Sequence, residues 1–323
     1  MEPIVPATIK QLHYICAVAD SGSIMGASDA LRIAQSSITA AIEAVEHDLG
    51  ARVFDRRRGR GARLTPQGER FMQAARRLLS AERRYQQELS ALADQHSELR
   101  IGCFEPFASL FVVEVLSRLR AKLPNLKVSL VEGDQPRLKR FLERGELDLL
   151  LAYDLGPDFE AGVTEITPSP PHALVSAAGP FAARDSVSIA ELAAHPFVLL
   201  SQPLTVTYLL TLLGASGLPP VIGFRSRSYD SVLRAVAAGF GNSVLNLRPP
   251  KPLDVETGCL RLPLTDDLPA PMLIAVDNYG DQKPRVVRAF MDELHAYLTP
   301  PGATGRLPGR DAPRAADLER RLS

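Results

Sequence analysis

Phe71, Ala75, Leu78, Glu82, Tyr85, Leu89 and Leu92 follow one another at alternating steps of four and three residues. That spacing is a heptad seam along one side of a single long helix, with Glu82 as its one polar interruption. A helix from Pro66 to about Ala93 therefore divides the chain into an N-terminal and a C-terminal part. Packing on its own small domain gives such a helix no reason to hold the register for about three heptads. Pairing with a second copy of the chain explains the register better, with packing on its own domain as the alternative.

Before this helix the pattern is helical and tightly punctuated. Ile9, Leu12, Ile15, Cys16 and Ala19 lie at helical spacing, and Ser21-Gly22 ends the run. Ser23 suits the N-cap of a second helix carrying Ile24, Ala27, Ala30 and Leu31. A third helix, ended by Gly50, places Ile38, Ile42, Val45 and Leu49 on one face. Three short helices with tight joints predict a helix-turn-helix domain. Opposite the apolar stripe of the third helix lie Ser36, Ala40 and Glu43, flanked by Gln35 and Thr39. Small, uncharged side chains suit close approach to the major groove, where a Gln amide pairs with adenine and a Thr methyl meets a thymine methyl.

Next comes DRRRGRGARLTPQGE, residues 55–69. From Arg52 to Arg77 nine arginines stand against Asp55 and Glu69, a local excess in a chain whose 37 basic and 37 acidic residues cancel. Extended stretches at Val53-Phe54 and Ala62-Leu64 flank the run, and Gly59 and Gly61 allow the positive φ of a hairpin tip. Thr65 suits an N-cap and Pro66 the first helical position. The arginines thus sit on a shaped wing, where they neutralise phosphates or enter a narrow minor groove. Three phosphate contacts per protomer would give a dimer a log–log salt slope of roughly −5.

After residue 96 strands and helices alternate. Strands are predicted at Leu99–Phe104, Leu126–Glu132, Leu147–Tyr153, Ala173–Ser176, Phe197–Leu200, Val221–Arg225, Ser243–Leu247 and Pro271–Val276, with helices such as Leu110–Leu123 and Tyr229–Ala238 between them. Such alternation predicts an α/β domain with a parallel sheet. The Pro-, Gly-, Ala- and Arg-rich segment 299–323 has little to bury and is expected to be a disordered tail.

The 323 residues suffice for about two domains, each with its own core. Cys16, Cys103 and Cys259 form no C-x-x-C pair, so buried free thiols and a reducing compartment are expected. No basic segment followed by an apolar core opens the chain, and no apolar run reaches the roughly 20 residues of a membrane span. A cytoplasmic protein without a membrane partner is the simplest expectation. The six histidines are scattered, and G-x-S-x-G, G-x-x-x-x-G-K-[ST] and H-E-x-x-H are absent. No catalytic centre, metal site or cofactor is predicted.

The stretch IKQLHYICAVADSGSIMGASDALRIAQSSITAAIEAVEHDLGARVFDRRRGRGARLTPQGE resembles the LysR-type transcriptional regulators. It carries, in order, A-x-x-G-S, A-x-x-L, Q-S-S-I-T-A-A-I-E-x-V-E-x-x-L-G-x-x-x-F-x-R and L-T-P-x-G. Less specific likeness continues through LRIGCFEPF, LPNLKVSLVEGD, RGELDLLLAYD and SVLRAVAAGFGNSVLN, so that it spans roughly residues 7–298. The resemblance implies an N-terminal winged helix-turn-helix (1–65), a linker and dimerisation helix (66–95) and an effector domain (96–298). That domain would consist of two α/β subdomains like type II periplasmic binding proteins, about 97–165 plus 268–298 and about 166–267. DNA contacts are then expected from Ser23, Gln35, Ser36, Ser37, Thr39 and Ala40, and from the wing residues Arg56, Arg57, Arg58, Arg60 and Arg63.

Two departures stand out. Ala34-Gln35-Ser36 replaces the family's usual Ser-Gln-Pro, with Ser36 as a substitute cap, and Ala40 stands where the family often has Arg. The dense wing is a candidate compensation for the second. Asn246 occupies a position where the family often has proline.

Loops beyond strand C-termini line clefts in such sheets, which nominates Phe104, Glu105 and Phe107, then Ser201, Gln202 and Thr205, then Ser226 and Ser228. Ser and Thr at helix starts suit a carboxylate or simply cap the helix. Glu105 suits an amine or an ion pair with an arginine, and Phe224 suits core packing ahead of pocket lining. The expected function is a ligand-responsive regulator whose partners are double-stranded promoter DNA, a small-molecule effector and further copies of itself as a homodimer or homotetramer. A ligand-independent architectural DNA binder and an enzyme on the same fold are the competing classes.

Overall fold

The computed structural model describes residues 7–55, 61–92, 98–156, 159, 162–214, 220–246 and 258–299. Two compact units form, one from the chain up to Gln95 and one from His96 onward apart from Glu143–Glu146. Of the segment 299–323 expected to be a tail, Thr299 is described and residues 300–323 lie outside the described residues, as does Leu247.

The first unit contains α1 (Ile9–Ser21), α2 (Ile24–Leu31), α3 (Gln35–Leu49), β1 (Phe54–Asp55), β2 (Arg63–Leu64) and α4 (Pro66–Leu92). Thr8 opens α1 with a capping box: its hydroxyl accepts from Gln11 N at 3.2 Å while Gln11 Oε1 accepts from Thr8 N at 2.8 Å. Gly22, at φ 69°, ends the helix. Ser23 caps α2 by accepting from Gly26 N at 3.0 Å. The substitute cap expected at Ser36 does not form. Helix α3 starts two residues earlier, behind Ala34, which offers no side-chain bond, and Ser36 is exposed within its first turn.

Ile15, Val18, Ala27, Ile38, Ile42, Val45, Phe54 and Met72 make the core of this unit. Ala30, Leu31 and Leu49, expected on apolar faces, are exposed, because each sits at a helix end beyond the reach of the packed neighbours.

Strands β1 and β2 pair antiparallel, Phe54 opposite Leu64 and Asp55 opposite Arg63. The hairpin tip with Arg56, Arg57, Arg58, Gly59 and Arg60 lies outside the described residues. Its base is held from two sides. Glu46 Oε1 accepts from the backbone N–H of Val53 at 2.8 Å and of Phe54 at 3.1 Å. The Thr65 hydroxyl donates to the Arg52 carbonyl at 2.6 Å and accepts from Gly68 N at 2.9 Å, capping α4. Gly68 has no room for a side chain: a Cβ there would lie 2.1 Å from the Val53 carbonyl oxygen. The Thr and Gly of L-T-P-x-G thus weld the wing to α4.

The heptad seam of α4 divides. Ala75 is buried with Leu12 and Leu79, so the first turns pack on their own unit. Leu78, Tyr85 and Leu89 are 46%, 60% and 46% exposed. The polar interruption, Glu82, meets His13 Nε2 at 3.2 Å.

The second unit has two lobes. The first holds a five-stranded sheet in the order β4-β3-β5-β12-β6, from β3 (Glu98–Phe104), β4 (Lys127–Gly133), β5 (Leu149–Tyr153), β6 (Val163–Pro168) and β12 (Met272–Val276). The second lobe combines a parallel pair, β8 (Phe197–Leu200) with β9 (Ile222–Ser226), and an antiparallel trio, β10 (Ser243–Leu245), β7 (His172–Ser176) and β11 (Cys259–Pro263). The expected parallel sheet is found among β4, β3 and β5 and between β8 and β9, but the other pairings are antiparallel, so the sheets are mixed. The chain leaves the first lobe along β6 and returns along β12, and the returning strand must run antiparallel to both β5 and β6.

Helices cover these sheets. A continuous helical run comprises α5 (Glu105–Phe107), a π-helical turn (Ala108–Val112) and α6 (Val113–Lys122). The others are α7 (Gln135–Glu143), α8 (Ile189–Ala193), α9 (Thr205–Gly214), α10 (Tyr229–Ala237) and α11 (Arg285–Leu298). Leu99, Ile101, Leu151 and Phe290 belong to the core of the first lobe, and Val175, Phe197, Leu212 and Val232 to that of the second. Asp148 of the RGELDLLLAYD stretch is buried and accepts from the Arg100 backbone N–H at 2.8 Å and the Tyr279 hydroxyl at 2.7 Å, a structural role. Among the described residues no helix is long and apolar enough to cross a membrane.

Candidate nucleic-acid interface and ligand cavity

Helix α3 turns Ile38, Ala41, Ile42 and Val45 inward. Gln35, Ser36, Ser37, Ala40 and Glu43 are exposed, and Thr39 is partly so. The Thr39 hydroxyl donates back to the Gln35 carbonyl at 2.9 Å, which leaves its methyl as the group available to a base edge. Ser23 has its hydroxyl engaged in capping α2. The structure brings Gln35, Ser36, Ser37, Thr39 and Ala40 onto the first turns of one helix with no charge among them.

Of the arginines around the wing, Arg52, Arg63, Arg70 and Arg77 are exposed. Arg76 is different. Its guanidinium meets Asp20 at 3.1 Å, which withdraws that charge from the basic surface.

In the second unit a cavity of about 320 Å³, its mouth included, opens at the C-terminal ends of the strands. Phe104 ends β3, Tyr153 ends β5, Leu200 ends β8 and Leu245 ends β10, and all four line it. Pro106 and Leu110 complete the first-lobe wall. Thr205, Leu209, Tyr229, Val244 and Asn246 complete the wall of the second. Asn246 ties this wall together, since its amide donates to the Tyr208 hydroxyl at 2.9 Å and to the Ser169 carbonyl at 3.1 Å. Thr205 Oγ1 is buried and has no hydrogen-bond partner.

Two polar contacts join the lobes beside this cavity. The Gln202 amide donates to both the Glu105 carboxylate and the Arg227 carbonyl, and Arg227 meets Asp134 at 2.9 Å. Burial, with Glu132 nearby, holds the Glu105 carboxyl above the usual carboxylate range. The turn before α9 is strained, since Leu204 adopts φ 69°. Gly156 makes room for that side chain, as a Cβ there would lie 2.6 Å from Leu204 Cδ1.

Among the nominated effector residues, Phe104 and Thr205 line the cavity. Phe107 does not. It is fully buried against Phe104, Phe111 and Tyr153, because the helical run turns it into the first-lobe core. Glu105 takes Gln202 as its hydrogen-bond partner. Ser228 caps α10 by accepting from Ser231 N at 3.4 Å, and Ser226 Oγ accepts from Ser228 N at 3.1 Å. Ser201 is partly buried and lies outside the lining, as do Gln202, Ser226 and Ser228. Phe224 is half-buried and stacks edge-on against Phe240. Tyr153, Tyr229, Leu209 and Val244 were not anticipated. Applying the strand-end rule to every strand, and not only to β3, β8 and β9, would have reached Tyr153 and the end of β10.

Comparison with known proteins matches residues 9–69 to the bacterial regulatory helix-turn-helix protein, lysR family, and residues 93–299 to the LysR substrate binding domain. The chain belongs to the LysR family of transcriptional regulators. Among its relatives, the probable HTH-type transcriptional regulator LrrA of Synechococcus elongatus is 28% identical over 92% of this chain and 99% of that protein. Among solved structures, a LysR family regulator of Pseudomonas aeruginosa, the PA01 protein, is 30% identical with a TM-score of 0.55, covering 91% of this chain and 99% of that one. HinK, a LysR family regulator of the same organism, is 29% identical with a TM-score of 0.55 over 90% and 99%. This LysR regulator accordingly pairs a DNA-binding winged helix-turn-helix with an effector-binding domain of the periplasmic-binding-protein kind.

Proposed function

We propose that this LysR regulator acts in the cytoplasm, without catalysis, as a homodimer or homotetramer whose α4 helices pair and whose winged units read promoter half-sites. Gln35, Ser36, Ser37, Thr39 and Ala40 approach base edges, while Arg56, Arg57, Arg58, Arg60 and Arg63 take the flanking phosphates or the minor groove. The domain limits are those read from the sequence: 1–65 for DNA, 66–95 for pairing, 96–298 for the effector and 299–323 as tail.

The observation that carries the effector half of this reading is the cavity walled by both lobes, with Glu105–Gln202 and Arg227–Asp134 bridging them at its side. A ligand seated there contacts both lobes at once and so favours one arrangement of them over another. Repositioned lobes alter how protomers assemble on DNA. The DNA half is tested by fluorescence anisotropy on the regulator's own upstream region. Changing Arg56, Arg57 and Arg58 together to Ala should flatten the log–log salt slope by about 0.9 for each phosphate no longer neutralised. An unchanged slope would remove the wing from the interface.

A further inference from the structure

Nothing about the fold alone dictates what the cavity holds, but its wall is chemically one-sided. Every described residue lining it is uncharged. Phe104, Tyr153 and Tyr229 supply aromatic faces, and Leu110, Leu209 and Val244 aliphatic ones. Beside the first-lobe wall the adjoining charge is negative: Glu105 immediately precedes the lining residue Pro106. Its carboxyl is already held high by burial and by Glu132, so a further anion beside it would be opposed. Arg261 reaches the Tyr229 hydroxyl at 3.4 Å but is not a lining residue, and Arg227 is mostly exposed and paired with Asp134.

The start of α9 at Thr205 is where an anion would be expected to dock. Its first two amides are already engaged. Thr205 N donates to the Pro203 carbonyl at 2.9 Å, and Val206 N donates to the Gln202 carbonyl at 2.9 Å. The Asn246 amide hydrogens are committed to Ser169 and Tyr208. What the wall leaves open is a neutral group, the Thr205 hydroxyl, in a residue only 3% exposed and without a hydrogen-bond partner. A buried hydroxyl with no partner asks for one from the ligand. A buried carboxylate with no cation would bear its full desolvation cost.

We propose that the effector of this cavity is an uncharged, largely apolar molecule carrying one hydrogen-bonding group for Thr205, and that carboxylates are excluded. The inference rests on the reading of this cavity as the effector site.

Three isosteric probes separate the charge states: benzamide, benzoate and benzylammonium, titrated calorimetrically into the full-length protein near pH 7.5. Benzamide should bind at least about tenfold more tightly than either ion. Thr205→Val, which keeps the side-chain volume and deletes the hydroxyl, should weaken benzamide by about fivefold or more, while Thr205→Ser should retain the preference. Benzoate binding as tightly as benzamide overturns the proposal, and so does a preference for benzylammonium. So does the absence of heat from all three up to about 10 mM, or a Thr205→Val protein that binds benzamide unchanged. The same preparations are assayed on upstream DNA. Intact DNA binding with no preference for benzamide sinks the ligand class and leaves the regulator standing, whereas loss of DNA binding in the unaltered protein sinks the regulator reading itself.

Discussion

Thr205 and Asn246 are polar residues in the lining of a mostly apolar cavity, and Glu105 adjoins it. Glu105 also makes a pH argument. Its folded-state pKa is raised, so the unfolded state releases that proton more readily, and the stability linked to this group is present at low pH and lost as pH rises through the folded value. Glu105→Gln should therefore be more stable than the unaltered protein at about pH 8, with the gap closing towards about pH 4, below the ordinary carboxylate value. Urea midpoints at the two pH values would reveal it. Equal gaps at both would mean that charge at residue 105 is immaterial.

The cysteines carry a second residue-scale prediction. Burial pushes the Cys16 thiol up to about 11 and Cys103 up to about 12. At pH 8 the thiolate fraction of Cys16 then falls on the order of a hundredfold below that of an ordinary cysteine, and alkylation of the native protein should slow accordingly. Cys16 is only partly buried, so its inertness is a matter of charge and not of access alone.

At the scale of elements, the wing and α4 behave as one welded piece. Gly68→Ala pushes a methyl into the Val53 carbonyl and should cost about 1–3 kcal/mol, the usual range for forcing atoms into filled space. Chemical denaturation measures this directly. The far half of α4 leaves Leu78, Tyr85 and Leu89 exposed although they continue the heptad register begun by Phe71 and Ala75. Replacing those three with Gln retains helix propensity and removes the apolar stripe. Sedimentation should then show monomers at micromolar concentration where the unaltered chain self-associates. Continued association would move the pairing surface elsewhere.

For the whole molecule, coupling between effector and DNA has a thermodynamic signature. If an effector changes the DNA dissociation constant by some factor, saturating DNA must change the effector constant by the same factor. Titrating each ligand in the presence and absence of the other gives both numbers. A ligand that binds the cavity with equal affinity on and off DNA is a bystander.

Local chemistry was legible in the residues. Gly22 and Gly50 stop helices, Ser23 and Thr65 start them, and the alternation of Phe71 to Leu92 runs through a real helix, because each of these signals acts within a few residues. The small polar tip of α3 and the two strands of the wing were readable for the same reason. The remaining features depend on contacts between distant segments. The direction of β12 is set by the chain's return to a sheet it left along β6. Phe107 goes to the core and Asn246 to the cavity because a helical run and a strand end are fixed by partners from elsewhere in the chain. Glu105 and Gln202 are nearly a hundred residues apart, and no local pattern could foretell that the amide of one would answer the carboxylate of the other.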